Sequence, residues 1–140
     1  MLTITRTHWL QMVGHSLDGL PDEACGLLVG SEGSAGARVE AFVACRNADE
    51  SSRTFSIGPD GWEAADAVIG DRPLEILGVV HSHTHTDAYP SPTDVDKAAN
   101  PLLEGWHWVL VSLREPEPVL RSYVITDGTI VEEPIAVVGR

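Results

Sequence analysis

Positive charge is scarce in this chain. Nine Lys and Arg stand against 21 Asp and Glu, a formal net charge of −12 at pH 7 with His neutral. That deficit argues against a nucleic-acid partner, since phosphate backbones are held by basic faces. Long hydrophobic runs are missing too. No apolar stretch approaches the ~20 residues of a membrane helix, and no basic-then-apolar leader opens the sequence, so no membrane association is expected. Cysteine is limited to Cys25 and Cys45, each inside an apolar segment and not at a disulfide-type spacing. Buried free thiols in a reducing compartment are the expectation, and with them a cytoplasmic protein. There is no internal repeat and no low-complexity tract.

What is present fits one domain, residues 1–140, with a single core: 140 residues and 43% hydrophobic content. Leu2–Thr5 alternates and reads as an edge strand. From Thr7 the period lengthens, with Trp9, Leu10, Val13 and Leu17 at helical spacing and Gly19 and Pro21 as a stop. Cys25–Gly30 and Val39–Cys45 read as a hairpin across a Gly/Ser loop, followed by a short extended piece at Phe55–Ile57. Pro59-Asp60-Gly61 opens a helix that ends at Gly70. Trp106–Ser112 is a strand, and Val119–Thr126 with Thr129–Glu133 form a hairpin around Asp127-Gly128. Periodicity alone yields a mixed sheet with helices.

The chemistry concentrates between Gly78 and Lys97. Leu77, Val79 and Val80 lead into His81-Ser82-His83; seven residues later comes Ser91, and after two more Asp94. On a strand His81 and His83 share a face, and paired imidazoles supply two ligands to a divalent metal. His85 shares the period but is a poor third ligand. It would lie about 13 Å from His81 along a straight strand, whereas a histidine Cα sits about 6 Å from its metal. A residue returning from a turn does better. Ser91-Pro92-Thr93-Asp94 also has the form of a helix start, with Ser at the N-cap and Pro at the first position. Such a start, facing the strand end, brings Asp94 back to the histidines. The remaining histidines, His8, His15 and His107, read as structural.

His81-x-His83-x7-Ser91-x2-Asp94 resembles the signature of the JAMM (MPN+) metalloproteases. Pro21–Gly30 resembles the family's upstream segment, with Glu23 at its catalytic glutamate. The likeness runs from Leu2 to about Thr126 and is strongest toward the small prokaryotic members. It implies a cytidine-deaminase-like α/β (α+β) fold: a mixed, mainly antiparallel sheet of six or more strands flanked by two to three helices. It also implies one Zn2+ per chain on His81, His83 and Asp94, and a groove residue at Asn47. For Asn47 a turn-forming role competes.

Three protein ligands leave a fourth position for an activated water, the mark of a catalytic zinc site. Glu23 is the candidate general base and acid. Ser91 is the candidate oxyanion donor and not a nucleophile, because the Gly-x-Ser-x-Gly setting of α/β serine hydrolases is absent. Metallo-β-lactamase-like hydrolases need an Asp-His pair where Thr84-His85-Thr86 stands. Cupins need a nearby glutamate and more strands, and amidohydrolases need a barrel of ~250 residues. Zincins need His-Glu-x-x-His. The resemblance implies hydrolysis of an amide at the C-terminal tail of a ubiquitin-like or sulfur-carrier protein, with release of an amino acid such as cysteine as one form. A non-catalytic interaction scaffold is the alternative. The oligomeric state stays open, a homodimer included.

Overall fold

The computed structural model describes residues 1–140. The first half runs β1 (Leu2–Thr5), α1 (Arg6–Asp18), β2 (Cys25–Gly33), β3 (Gly36–Cys45) and α2 (Pro59–Ile69). Then come β4 (Glu75–His83), α3 (Pro92–Ala98), a 3-10 turn at Pro101–Leu103, β5 (His107–Ser112), β6 (Val119–Thr126), β7 (Thr129–Glu133) and β8 (Ile135–Val138). All eight strands join one sheet in the order β7-β6-β5-β4-β2-β3-β1-β8. Its pairs are antiparallel except β1 with β3, β1 with β8, and β4 with β5. The architecture is the mixed, mainly antiparallel sheet with three helices that was expected.

Two readings of local pattern do not hold. β1 is not an edge, because β8, a strand the sequence pattern did not reveal, pairs along its whole length from Leu2↔Ile135 to Thr5↔Val138. In α1 the buried residues are Met12, Val13 and Ser16, while Leu10 and Leu17 face solvent. The helix crosses the sheet on a narrower stripe than its apolar content indicates. His15, read as structural, is half-buried, and its Nε2 lies 2.9 and 3.1 Å from the carbonyls of Cys25 and Cys45.

Each face of the sheet carries its own core. Under α1, Leu2, Ile4, Met12, Val13, Leu28, Val80 and Val109 pack together. Under α2 and α3 the cluster includes Leu27, Val29, Phe55, Ala65, Val79, Ala98, Trp108 and Leu110. β4 contributes to both, and its alternation is reset once. The β2–β4 register pairs Leu28 with Gly78 but Val29 with Ile76, so Leu77 is an extra residue, a β-bulge. After the bulge, Val79 faces the α2/α3 core. His81 and His83 follow on that face at the two-residue period. Gly78 is required there: a Cβ would come within 1.9 Å of the His107 carbonyl on β5.

Candidate metal centre

β4 is a central strand, flanked by β2 and β5, and it ends at His83. Cys25 lies opposite His81, so the residues just before β2 run past the histidine end of β4. Two bonds fix them there. The Ala24 N–H donates to Ser82 Oγ at 2.8 Å, and the Ser82 N–H donates to the Ala24 carbonyl at 2.9 Å. Glu23 is thereby held beside the imidazoles and is buried.

The third partner arrives with α3. Ser91 is its N-cap and Pro92 opens it. Ser91 Oγ accepts from the Asp94 N–H at 3.1 Å, while the Ser91 N–H donates to Asp94 Oδ2 at 2.9 Å. This reciprocal capping box satisfies the first turn and also aims the carboxylate. Asp94 Oδ2 lies 3.1 Å from His81 Nε2 and 3.2 Å from His83 Nε2, and the two Nε2 atoms are 3.2 Å apart. All three residues are buried. His85, by contrast, is exposed and outside the cluster.

That triangle fits a divalent metal. A tetrahedral zinc with ~2.0–2.1 Å bonds spaces its ligand atoms about 3.3–3.4 Å apart. The donor chemistry agrees. His83 Nδ1 is 2.8 Å from the Asp87 carbonyl, which can only accept, so Nδ1 carries a proton. In the neutral ring Nε2 then presents a lone pair to a carboxylate oxygen. Two acceptors at 3.2 Å call for a cation between them, either a proton or a metal. Burial works to lower the His83 pKa, but the bonds to Asp94 and Asp87 outweigh it and raise it. Burial works to raise the Asp94 carboxyl, and the bonds from both histidines hold it well below the usual carboxylate range. His81 is oriented by packing instead. Its ring stacks on Phe55 at 4.4 Å and meets Trp108 edge-on at 6.4 Å, and its Nδ1 has no hydrogen-bond partner.

Glu23 stands outside the triangle of His81, His83 and Asp94. Burial pushes its carboxyl up to about 7; His83 partly opposes the shift and Asp94 adds to it. A carboxyl that titrates near neutrality can both take and give a proton. Asn47 organises the adjoining loop. Its amide N–H groups donate to the carbonyls of Glu23 and Thr54, both at 2.9 Å, and its Oδ1 accepts from the N–H of Asp49 and Ser56. The residues that sequence reasoning missed are Phe55, Ser82 and Asp87. Phe55 packs on His81, the Asp87 carbonyl meets His83, and Ser82 ties the residues before β2 to β4; none of these contacts leaves a spacing pattern.

Beside the stacked Phe55 and His81 opens a cavity of about 290 Å³, lined by Phe55, Ile57, Trp62, Leu103, Trp106 and Trp108 among others. Lys97 closes one side, lying 4.0 Å over the Phe55 ring and donating to the Phe55 carbonyl.

The chain is similar to known proteins over most of its length. A profile of prokaryotic homologues of the JAB domain matches residues 5–126. The CysO-cysteine peptidase of Mycobacterium tuberculosis is 41% identical over 130 residues, which are 92% of this chain and 86% of that protein. A Desulfitobacterium hafniense protein of known solution structure is 32% identical with a TM-score of 0.89, over 100% of this chain and 94% of that one. A JAB1/MPN domain protein from Archaeoglobus fulgidus is 18% identical with a TM-score of 0.62, over 99% of this chain and 98% of that one, and shares the fold.

Proposed function

The chain belongs to the family of prokaryotic JAB-domain homologues, and on that premise we propose that it is a zinc-dependent peptidase. Its substrate is the C-terminal tail of a ubiquitin-like or sulfur-carrier protein. The observation that carries this reading is the buried triangle of His81 Nε2, His83 Nε2 and Asp94 Oδ2 beside a buried carboxyl that is not part of it. His81, His83 and Asp94 would hold one zinc ion. When bound, zinc supplies the positive charge that makes water nucleophilic at neutral pH and polarises the scissile carbonyl.

Glu23 takes the proton of the attacking water and returns it to the leaving amine, a role suited to a carboxyl pushed up to about 7 by burial. Ser91 Oγ accepts from the Asp94 N–H, which leaves its own proton free to donate to the negative charge that develops on the scissile carbonyl oxygen as the amide carbon is attacked. Phe55, packed on His81, shields the ligands from bulk water. The cavity beside it receives an apolar side chain of the extended tail, and the loop that Asn47 organises forms the near wall. A relative named CysO-cysteine peptidase supports a single amino acid such as cysteine as the leaving group.

The test is mass spectrometry of carrier proteins bearing one C-terminal amino acid, before and after incubation with the zinc-loaded chain. Loss of one residue mass is expected, and none with Glu23→Gln. A zinc-loaded wild type that leaves every adduct intact would sink the peptidase reading in favour of an interaction scaffold.

A further inference from the structure

His83 is oriented through one backbone carbonyl, and that carbonyl belongs to a segment, residues 84–90, without helix or strand. What holds the segment lies at the C-terminal end of β5, where Ser112 pairs with His83, just past it at Arg114, and on β6. Ser112 Oγ donates to the Thr86 carbonyl at 2.6 Å. Arg114 Nη1 donates to Asp87 Oδ1 at 2.8 Å. The Tyr123 hydroxyl donates to the Ala88 carbonyl. Three side chains thus grip three successive residues, and the middle one presents its carbonyl to His83 Nδ1. Two further contacts close the arrangement: the Tyr89 N–H donates to the same Asp87 carbonyl at 2.8 Å, and the Tyr89 ring meets Tyr123 edge-on at 5.6 Å. Ser112 and Tyr123 are both buried. A buried hydroxyl is costly unless bonded, so these two have the loop carbonyls as their required partners.

From this we infer that Ser112, Arg114 and Tyr123 are positioning residues for the metal. None is a ligand and none touches reacting atoms. They fix the Asp87 carbonyl, which keeps the His83 proton on Nδ1 and turns Nε2 toward His81 and Asp94. If the carbonyl drifts, the imidazole is free to rotate and to shift its proton to Nε2, and each change removes a lone pair from the triangle. The inference rests on reading His81, His83 and Asp94 as ligands.

The test is zinc affinity by competition with a chromophoric chelator, together with the visible spectrum of the Co2+-substituted chain, which reports ligand geometry. Ser112→Ala combined with Tyr123→Phe removes two of the grips while keeping the packing. Loss of a direct partner of a ligating histidine costs roughly 10–100-fold in metal affinity. Acting one bond further out, the double substitution should cost about 10-fold and alter the cobalt spectrum. Arg114→Ala, a surface change that does not threaten folding, should act in the same direction by a few-fold. Ser122→Ala is the control: it removes a buried hydroxyl on the same strand that bonds Glu133 at 2.7 Å, away from the loop. It should bind zinc as the wild type does.

Wild-type affinity and spectrum in both the double variant and Arg114→Ala overturn the inference. So does an equal loss in Ser122→Ala, because general destabilisation would then explain the effect. Should the double variant fail to fold, Arg114→Ala decides by the same criterion. A wild type that binds no zinc brings down the ligand reading and this inference with it. A wild type that binds zinc, alongside variants that match it, brings down this inference alone.

Discussion

At the scale of single residues, the two carboxyl groups of the candidate site lie in opposite environments. Asp94 is held ionised by its neighbours, while Glu23, lacking such partners, is driven toward its neutral form. The burial of Glu23 has a cost that can be read in the metal-free chain. A carboxyl raised from 4.5 to about 7 binds more protons in the folded state than in the unfolded one. Stability therefore falls as pH rises from about 4.5 through 7, and the full cost is present above that. Glu23→Gln removes the titrating group. The metal-free variant should be more stable than wild type by roughly 1–2 kcal/mol at pH 8, allowing for partial solvent screening of the ~1.4 kcal/mol that each tenfold change in proton affinity represents. At about pH 4.5 the two should match. With zinc restored, the variant should keep its metal and lose about 10²–10⁴ in rate. Denaturant titrations at the two pH values and a zinc assay check this. Equal stability at the higher pH would mean that Glu23 is not desolvated.

At the scale of elements, legibility in the sequence follows the range of the interactions involved. His81, His83, Ser91 and Asp94 could be read because strand alternation and a capping box are local rules that fix side chains over a few residues. The β6–β7 hairpin was equally plain, since Asp127 and Gly128 both adopt the positive φ that a tight turn asks of them. β8 escaped because its four residues form a strand only by pairing with β1, at the opposite end of the chain. The bulge at Leu77, which sets the face of the histidines, is a register event between strands and has no sequence mark of its own. His107 shows the same limit. Read as a packed strand residue, it is buried, and its two nitrogens meet different carboxylates: Nδ1 meets Glu133, and Nε2 meets Glu32 at 2.7 Å. It joins β5, β7 and the β2–β3 hairpin end, and Glu133 also faces the N-terminal amine at 3.5 Å. Both nitrogens must donate, so the ring is held as the cation. Burial works to lower its pKa, but the two glutamates outweigh it and raise it. That contribution is fully present below the unfolded value of about 6.5 and is lost as pH rises through the higher folded value. His107→Gln should cost about 2–3 kcal/mol at about pH 6, less than the ~3–5 kcal/mol of a fully buried pair because Glu32 is half in water. It should also flatten the decline above neutrality. An unchanged decline in the variant, followed by denaturant titration across that range, would assign it to other groups.

At the scale of the whole molecule, the three candidate ligands are carried by elements that the sheet already fixes. β4 lies between β2 and β5, and α3 packs through Ala98 and Val95 on the same core as Leu27, Val79 and Leu110. Both core clusters draw on β2, β4 and β5, so neither face can be lost without exposing the other. From this we expect residues 1–140 to unfold as one cooperative unit, with or without metal. Zinc should stabilise that unit by mass action, because the unfolded chain does not bring His81, His83 and Asp94 together. At free zinc of about 100 times the dissociation constant the gain is about 2.7 kcal/mol. For a chain of this length each kcal/mol moves the midpoint by roughly 3–5 °C, so zinc should raise it by about 8–13 °C. His83→Ala should abolish most of that rise, and its metal-free midpoint should itself fall, because Asp94 and the Asp87 carbonyl lose a buried partner; the quantity compared is therefore the rise with zinc within each chain. His85→Ala should keep the full rise. Calorimetry of the three chains with zinc and with a chelator makes the comparison. A second, earlier transition that appears only with the chelator would mean that α3 and residues 84–90 fold separately around the metal. The single-unit expectation would then give way to a sheet that carries a metal-dependent flap.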